Sequence, residues 1–418
     1  MNFIHKKDNL LRYYLFLLYT LSNLLCSIYF IYVGKLGGDF LYRYPSEPYL
    51  IIISFLFYFI VFYCILFVFF PSIEKIKIHT FPLKKGVSLD TIFLFILIIS
   101  IQSAIIYKIG VSGFKNEENY SFIGKLLFYF QSLFQPVYLC LIYLYYNINR
   151  NKISIIFKLN VFLFIILSIF TAQTALLMVV FIFIMSIFIK KNININKKKL
   201  FIYTIIGLLI YPFIRLFKYA LVKNSHTNED LSQLVAVFTE NQDIWKSYID
   251  FLFIGLERFQ IVSNIQYIIS NQESLFYQYQ KLNPSYDFLG GYWFFDTILK
   301  YLNISSNATS SPQFLLALNI NGADNWSSHI SFLGYYFFYD IQAVFVYFPM
   351  LIIAMLAIFI TKKIENKKEF INLTWLMFLL LICHGWFIQF VNYTQSLLVF
   401  LLIIFVLNII NISKNSKE

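Results

Sequence analysis

Ten nearly uncharged apolar stretches, roughly 15–24 residues long, recur along this 418-residue chain. A hydrocarbon core about 30 Å thick needs about 20 apolar residues to be crossed as a helix. Because the bilayer offers the backbone no water, irregular spans exposed to lipid are excluded. The apolar fraction of 59% also exceeds that of ordinary globular chains, in which about half of the residues are apolar. The sequence therefore predicts an all-α polytopic integral membrane protein.

We expect about ten transmembrane helices, within a range of 10–12, and one large loop between the seventh and the eighth. The predicted spans are approximately 13–33, 49–70, 89–109, 122–145, 154–170, 175–189, 200–222, 341–360, 370–388 and 396–412. As one helix, the stretch 154–189 would extend about 54 Å, so we predict two short spans that turn near Thr171. The chain is thus divided into transmembrane helices 1–7 (1–222), a large loop with amphipathic helices (223–340), and helices 8–10 with a short tail (341–418). We expect this loop on the outer side of the membrane and the tail on the inner side.

The distribution of basic residues predicts the orientation, because short loops rich in Lys and Arg stay in the cytoplasm. With both termini inside, six short inner segments hold 20 of the 33 Lys and Arg residues, and the outer segments hold 12. This bias also accounts for most of the net charge of +12, so we expect no nucleic-acid partner. The four cysteines all fall within spans, which indicates neither a disulfide framework nor a metal site.

The long outer loop contains a predicted helix over 241–270. Its polar residues recur every seven positions and share one face: Asp243, Asp250, Glu257 and Asn264. One interpretation is an amphipathic helix that lies on the membrane with a solvated acidic stripe. The alternative is that the stripe lines a groove that binds sugar hydroxyls. Further along, Tyr292 and Trp293 are able to stack on sugar faces or to lie at the membrane interface as an aromatic belt.

Basic residues at the outer end of the seventh span are candidates for binding an anion. At 1.5 Å per residue, Arg215 lies about 23 Å and Lys218 about 27 Å above the inner end of the span, and Lys223 lies above the core. A cation at such depth is unfavourable unless it snorkels to the interface or binds a partner. The alternative to snorkelling is that these side chains, with Arg258 on the loop helix, receive a phosphate group, which suits a guanidinium.

Two histidines are candidates for proton transfer. His329 precedes the eighth span and reaches the membrane boundary only if the aromatic segment 330–339 lies along the interface. A neutral imidazole with a pKa near 6.5 accepts a proton from a hydroxyl nucleophile, although an ordinary interfacial histidine is an equally simple interpretation. His384, about 21 Å up the ninth span, is a further candidate.

Taken together, this arrangement resembles that of the O-antigen polymerases, the Wzy class of oligosaccharide repeat-unit polymerases, and more distantly that of the O-antigen ligases. The resemblance covers nearly the whole chain in topology and rests locally on three places: Leu167-Ser-Ile-Phe-Thr-Ala-Gln-Thr-Ala-Leu-Leu177, Tyr211-Pro-Phe-Ile-Arg-Leu216 and Ser328-His-Ile-Ser-Phe-Leu-Gly334. Gln173 stands where an Arg is common in that class.

This resemblance implies a GT-C-like, inverting and metal-independent glycosyltransferase of the bacterial inner membrane. Its substrates would be undecaprenyl-diphosphate-linked oligosaccharides, polymerised at the periplasmic face, with no cofactor and with a polysaccharide chain-length regulator as a partner. His329, Arg215 and Arg258 would be catalytic. The substrate-binding residues would be Lys218, Lys223, Asp250, Glu257, Tyr292 and Trp293. Asp243, Asp250 and Glu257 are alternatives to His329 as the base.

Other classes of protein share parts of this pattern. An O-antigen ligase has the same architecture, and a lipid-linked oligosaccharide flippase shares the substrate and the helical build. Such transporters usually have short loops and charges deep in several spans, whereas this chain has one large loop and few charges at mid-span. A sensor or assembly protein without catalytic activity would also fit the composition.

Overall fold

The computed structural model describes residues 2–40, 48–83, 89–111, 120–147, 154–171, 260–281, 312–322 and 328–415, with isolated positions between 179 and 257. All regular structure in these ranges is helical, and no strand occurs among them. Five of the helices are long and apolar enough to cross a membrane, or six spans if one bent pair counts as a single span. The predicted all-helical architecture, with helices long and apolar enough to span a membrane, is confirmed for this part of the chain. The count of ten spans and the GT-C arrangement stay predictions.

The described α-helices carry the labels used below. In chain order they are α1 (Asn2–Val33), α2 (Pro48–Tyr63), α3 (Phe70–Glu74), α4 (Leu89–Tyr107), α5 (Phe122–Phe134), α6 (Pro136–Asn147), α7 (Ile155–Phe170), α8 (Val262–Ser270), α9 (Gln272–Lys281), α10 (Pro312–Asn321), α11 (Gly334–Tyr339), α12 (Val344–Ile364), α13 (Lys368–Met377) and α14 (Phe387–Asn415). Two π-helical turns extend helices: Cys64–Phe69 joins α2 to α3, and Phe378–Ile382 follows α13.

Local sequence explains several helix ends. Ser121 and Ser154 cap α5 and α7, since each hydroxyl accepts a hydrogen bond from a backbone N–H three residues on, at 3.2 and 3.0 Å. The predicted fourth span, 122–145, is bent by 45° between α5 and α6. Pro136 disfavours helical geometry at the preceding residue, and Gln135 adopts a left-handed conformation with φ of 45°.

The chain forms two compact units, Met1–Lys84 with Glu257–Glu418, and Lys85–Leu256. The predicted boundaries at residues 222 and 340 separate membrane-spanning segments from the large loop, and they do not describe compact units. That division stays a prediction. In the second unit a buried polar contact joins α4, α6 and α7. The Tyr143 hydroxyl donates to Asp90 Oδ1 at 2.8 Å and accepts from Asn160 Nδ2 at 2.9 Å, while its ring stacks on Phe93.

One end of the first unit is held together by buried charges. The Arg12 guanidinium of α1 donates to both carboxylate oxygens of Glu74, at 2.8 and 3.3 Å, and to Asn372 Oδ1 of α13 at 2.7 Å. Lys362 of α12 donates to the backbone carbonyls of Glu74 and Ile76. These helix ends are the ones that the basic residues assign to the cytoplasm. Their grouping at one end agrees with the predicted alternation of α1, α2, α12 and α13.

Candidate functional site

Polar side chains from four separate segments meet at the other end of the first unit. These segments are the turn 34–40 after α1, the residues around the start of α8, the segment 328–331, and the break 383–386 between α13 and α14. We define the polar cluster as Asp39, Glu257, Asn264, Ser328, His329 and His384. In the predicted topology all four segments lie at the outer side of the membrane.

Glu257 lies against the turn that follows α1. Its Oε2 atom accepts a 2.7 Å hydrogen bond from the backbone N–H of Gly38. A side chain at Gly37 would approach Glu257 Oε1 to 2.8 Å and would overlap the ring of Phe30, so this close contact requires a glycine. Burial raises the pKa of the Glu257 carboxyl, and the hydrogen bond from Gly38 lowers it by a smaller amount. A half-buried carboxylate of this kind accepts a proton more readily than a fully solvated one.

A chain of hydrogen bonds connects the same turn to His329. Ser328 Oγ donates to Asp39 Oδ2 at 2.9 Å, and Asn264 Nδ2 donates to Ser328 Oγ at 3.2 Å. The same Asn264 amide donates to the backbone carbonyl of His329 at 2.5 Å. Ser328 and Asn264 are buried, whereas Asp39 is only half-buried. The turn 34–40 is therefore connected to the Glu257 carboxylate and to the backbone of His329, two of the candidate acid–base residues.

His329 and His384 form a perpendicular pair with ring centroids 5.0 Å apart. His384 also lies edge-on to Tyr19 of α1 at 5.3 Å, and the half-buried ring of Trp386 lies 6.2 Å from His329. The contact with His384 places His329 at the level of the outer part of the ninth predicted span. A straight helix from His329 into the eighth span, which would lift it well above the membrane, does not occur, because residues 328–331 are not helical.

The break 383–386 corrects the predicted boundary between the ninth and tenth spans. The sequence predicted a helix through 388 and an outer loop over 389–395, but α14 begins at Phe387 and runs through those loop residues. Gly385 has a φ of +78°, and a Cβ atom there would lie 2.7 Å from the backbone of Ser331. Apolar periodicity does not indicate this break, since Cys383, Trp386 and Phe387 are as apolar as the helices around them.

The break leaves the backbone carbonyl groups of residues 383–385 without helical partners, and donors from other segments form hydrogen bonds with them. The backbone N–H of Phe332 donates to Cys383 O at 3.1 Å, and that of Ser331 donates to His384 O at 2.9 Å. Gly385 O accepts from Gln313 Nε2 and from the Tyr335 hydroxyl, each at 3.0 Å. Within a membrane a broken helix is tolerated only where such partners satisfy its backbone. These contacts fix the position of His384 relative to the segment 328–331.

Most of the predicted site residues lie outside the described residues. They are Arg215, Lys218, Lys223, Asp250, Arg258, Tyr292 and Trp293, and with them Asp243 of the proposed acidic stripe. His329 and Glu257 are described, and both belong to the polar cluster. These two residues are far apart in sequence, and the turn 34–40 connects them. The turn contacts Glu257 directly and is linked to the backbone of His329 through Ser328 and Asn264.

The predicted continuous helix over 241–270 is wrong at its centre. Gln260 and Ile261 are not helical, and α8 starts at Val262 with the Gln260 side chain accepting from Ser263 N–H at 2.9 Å. Residues 262–268 are buried, so this part of the segment is not a solvated helix on the membrane surface. The heptad spacing nevertheless identified two residues, Glu257 and Asn264, that reach the same cluster.

The sequence reasoning missed Asp39 and Ser328. Asp39 follows a Gly-Gly pair at the end of the first span, and this pair is the one local signal that the chain approaches another segment closely there. Nothing in the local sequence marks Ser328 as a contact of Asp39. Since 289 positions separate these two residues, no helical or heptad spacing indicates their contact.

The polar cluster contains proton-accepting side chains, and some of them are partly exposed. Asp39, Glu257 and Trp386 are half-buried, whereas His329 and His384 are 7% and 5% exposed. Carboxylates at the accessible side suit hydrogen bonds to hydroxyl groups, and a desolvated carboxylate suits proton abstraction.

Comparisons with known proteins find no relative of this chain. No family model, curated protein or solved structure matches it.

Proposed function

We propose that this protein polymerises oligosaccharide repeat units carried on a lipid diphosphate, at the outer face of the bacterial inner membrane. The observation that carries the proposal is the polar cluster: a desolvated carboxylate, a second carboxylate and a histidine pair meet at the predicted outer ends of apolar helices. The resemblance in topology to O-antigen polymerases supports the same function and names the lipid as undecaprenyl diphosphate.

The proposed reaction is a glycosyl transfer with inversion. A hydroxyl oxygen of the incoming repeat unit attacks the anomeric carbon of the growing chain and forms the new glycosidic bond. The bond between that carbon and the diphosphate oxygen breaks, and its electron pair leaves with the lipid diphosphate. The proton of the attacking hydroxyl passes to a base of the protein. Specific cations adjacent to the leaving group stabilise the charge that develops on it.

Glu257 is the base in this proposal. It is half-buried, so a bound hydroxyl is able to reach it, and burial raises the pKa of its carboxyl. His329 is more deeply buried and packs on His384, which makes it the alternative base. Single substitutions separate the two assignments, since only the base itself is required for proton removal.

The leaving diphosphate is assigned to basic residues near the outer boundary. Arg215 and Arg258 offer forked donors that match phosphate oxygens, and Lys218 and Lys223 add charge nearby in sequence. Asp250, Tyr292 and Trp293 are assigned to binding of the sugars, together with the accessible edge of the polar cluster. A chain-length regulator is the partner that goes with this function.

Gene deletion tests the function and separates it from the alternatives. We expect the deletion strain to make lipopolysaccharide that carries at most one repeat unit, with the ladder restored by the wild-type gene. Lipopolysaccharide with no attached repeat, together with full-length polymer on the lipid carrier, would instead identify a ligase. Repeat units that accumulate on the cytoplasmic face would identify a flippase. An unchanged ladder would exclude all three.

A further inference from the structure

We propose that Tyr335 and Gln313 are positioning residues for the reaction, because they hold the break 383–386 against the segment 328–331. This inference rests on the proposed function. Neither residue belongs to the polar cluster, and neither is assigned a contact with substrate. Their effect on the reaction is exerted through the backbone of Gly385 and through Ser328.

The contacts converge on one carbonyl group. Gly385 O accepts two hydrogen bonds of 3.0 Å, one from the Tyr335 hydroxyl and one from Gln313 Nε2. Gln313 Nε2 also donates to the Tyr335 hydroxyl at 2.6 Å, which closes a triangle of buried groups. Both side chains are only 3% exposed. Because water does not reach this carbonyl, the loss of these donors would leave it unsatisfied.

Gln313 is bonded to the other side of the cluster as well. Its backbone carbonyl accepts a 3.1 Å hydrogen bond from the N–H of Ser328, whose hydroxyl donates to Asp39. One residue thus links Ser328 to Gly385. Between these two points lie His329, whose ring packs on His384, and Ser331, whose N–H donates to His384 O. The segment that carries His329 is therefore fixed at both ends.

Backbone strain indicates that this arrangement needs to be held. Ser331 has a φ of 66°, a left-handed conformation that is uncommon for any residue with a side chain. Such conformations persist where surrounding contacts impose them, and they concentrate at functional sites. The bonds to Gly385 O act together with those from Ser331 N–H and Phe332 N–H to hold His384 beside the segment 328–331.

The hydroxyl of Tyr335 is separable from the packing of its ring. The ring stacks on Phe387 at 4.4 Å with an interplanar angle of 6°, and phenylalanine at position 335 would keep this contact. Tyr335→Phe therefore removes the hydroxyl that donates to Gly385 O and accepts from Gln313 Nε2, and it leaves the ring in place. Tyr336 provides the matched control, because it is the next residue and its side chain is 51% exposed.

The experiment compares purified wild-type protein, Tyr335→Phe, Tyr336→Phe and Gln313→Leu in liposomes with lipid-linked repeat units. We expect Tyr335→Phe to lower kcat about tenfold with KM little changed, since a displacement of about 1 Å lowers rates by up to a hundredfold. Tyr336→Phe should match the wild type. Hydrogen exchange, measured by mass spectrometry on the peptide that spans 328–335, should be faster in Tyr335→Phe and Gln313→Leu than in the wild type and Tyr336→Phe.

The polymerisation rate and the hydrogen exchange together distinguish a failure of the positioning role from a failure of the proposed function. If the wild type forms no polymer but Tyr335→Phe speeds exchange in 328–335, the proposed function fails and the structural link remains supported. If the wild type forms polymer while Tyr335→Phe keeps wild-type kcat and exchange, the positioning role is overturned and the proposed function stands. A wild-type kcat for Tyr335→Phe, together with faster hydrogen exchange in 328–335, would also overturn the positioning role.

Discussion

Two acid–base residues of the polar cluster differ in access and in surroundings, and this difference decides their proposed roles. Glu257 is half-buried against the Gly37–Gly38 turn. His329 is buried beside His384 and Trp386. Asp39, on the same turn as Gly38, is a second charge at this end of the unit. A carboxylate that is both accessible and partly desolvated is the better candidate for a general base.

The pH dependence of kcat tests this assignment. The base must be deprotonated, so activity should fall as pH decreases through the raised pKa of Glu257, which lies above that of an ordinary glutamate. Glu257→Gln should lower kcat at neutral pH by about 10²–10⁴-fold, the usual contribution of a general base. His329→Ala should retain the acid limb of the profile. If the acid limb instead disappears in His329→Ala, the base is His329.

A forked donor is expected to matter at Arg215. We predict that Arg215→Ala sharply reduces polymerisation at normal protein level and that Arg215→Lys restores it only in part, because lysine lacks the two parallel N–H groups of a guanidinium. Lipopolysaccharide gels of complemented deletion strains measure this. A full ladder from the Arg215→Ala strain would mean that the side chain only snorkels to the interface.

At the scale of elements, the break 383–386 is the feature on which the geometry of the cluster depends. Gly385 combines a left-handed φ with contact to the Ser331 backbone, so an alanine there is strained in conformation and in space. We expect Gly385→Ala to lower the free energy of unfolding by about 2 kcal/mol or more. Thermal unfolding in detergent micelles should show a lower Tm.

Gly207→Ala is the control for this substitution. Gly207 lies at a helical position with nothing within 4 Å of an added Cβ atom. Alanine favours helices over glycine by up to about 1 kcal/mol, so the Tm of Gly207→Ala should stay equal or rise. A Gly385→Ala protein with an unchanged Tm would show that the break tolerates a side chain and that its close contact is not a constraint.

The sequence predicted helical elements well where apolar length is the main signal. The spans 13–33, 49–70, 89–109 and 341–360 correspond to long helices, because lipid imposes length and hydropathy together. It did not predict the interruptions at 260–261 and 383–386. The second of these depends on tertiary contacts, those of Gly385 with Ser331, Gln313 and Tyr335, which leave no period in the sequence.

The site was predictable only in part for a related reason. Glu257 is indicated by its heptad spacing with Asn264, and His329 by its residue type ahead of the eighth predicted span. Asp39, Gln313 and Tyr335 are not indicated, because their roles arise from contacts with residues 22–289 positions away. Proton acceptors are thus identifiable by residue type, whereas the residues that position them are identifiable only in three dimensions.

At the scale of the whole molecule, the topology is the prediction on which the location of the site depends. Basic residues assign both termini to the cytoplasm and residues 224–328 to the outside. In a variant without the four native cysteines, a cysteine introduced at Ser306 should react with a membrane-impermeant thiol reagent in spheroplasts. A cysteine introduced at Asn196, in the predicted inner loop, is the matched control and should react only after lysis. The reverse pattern would place the polar cluster on the cytoplasmic side.

Polymerisation by the purified protein tests the central claim most directly. Wild-type protein in liposomes, supplied with undecaprenyl-diphosphate-linked repeat units, should produce a ladder of lipid-linked polymers. Glu257→Gln should produce none at neutral pH over the same period, while Glu273→Gln, which changes an exposed glutamate of α9, should match the wild type. The absence of a ladder from the wild-type protein, or a full ladder from Glu257→Gln, would contradict the account.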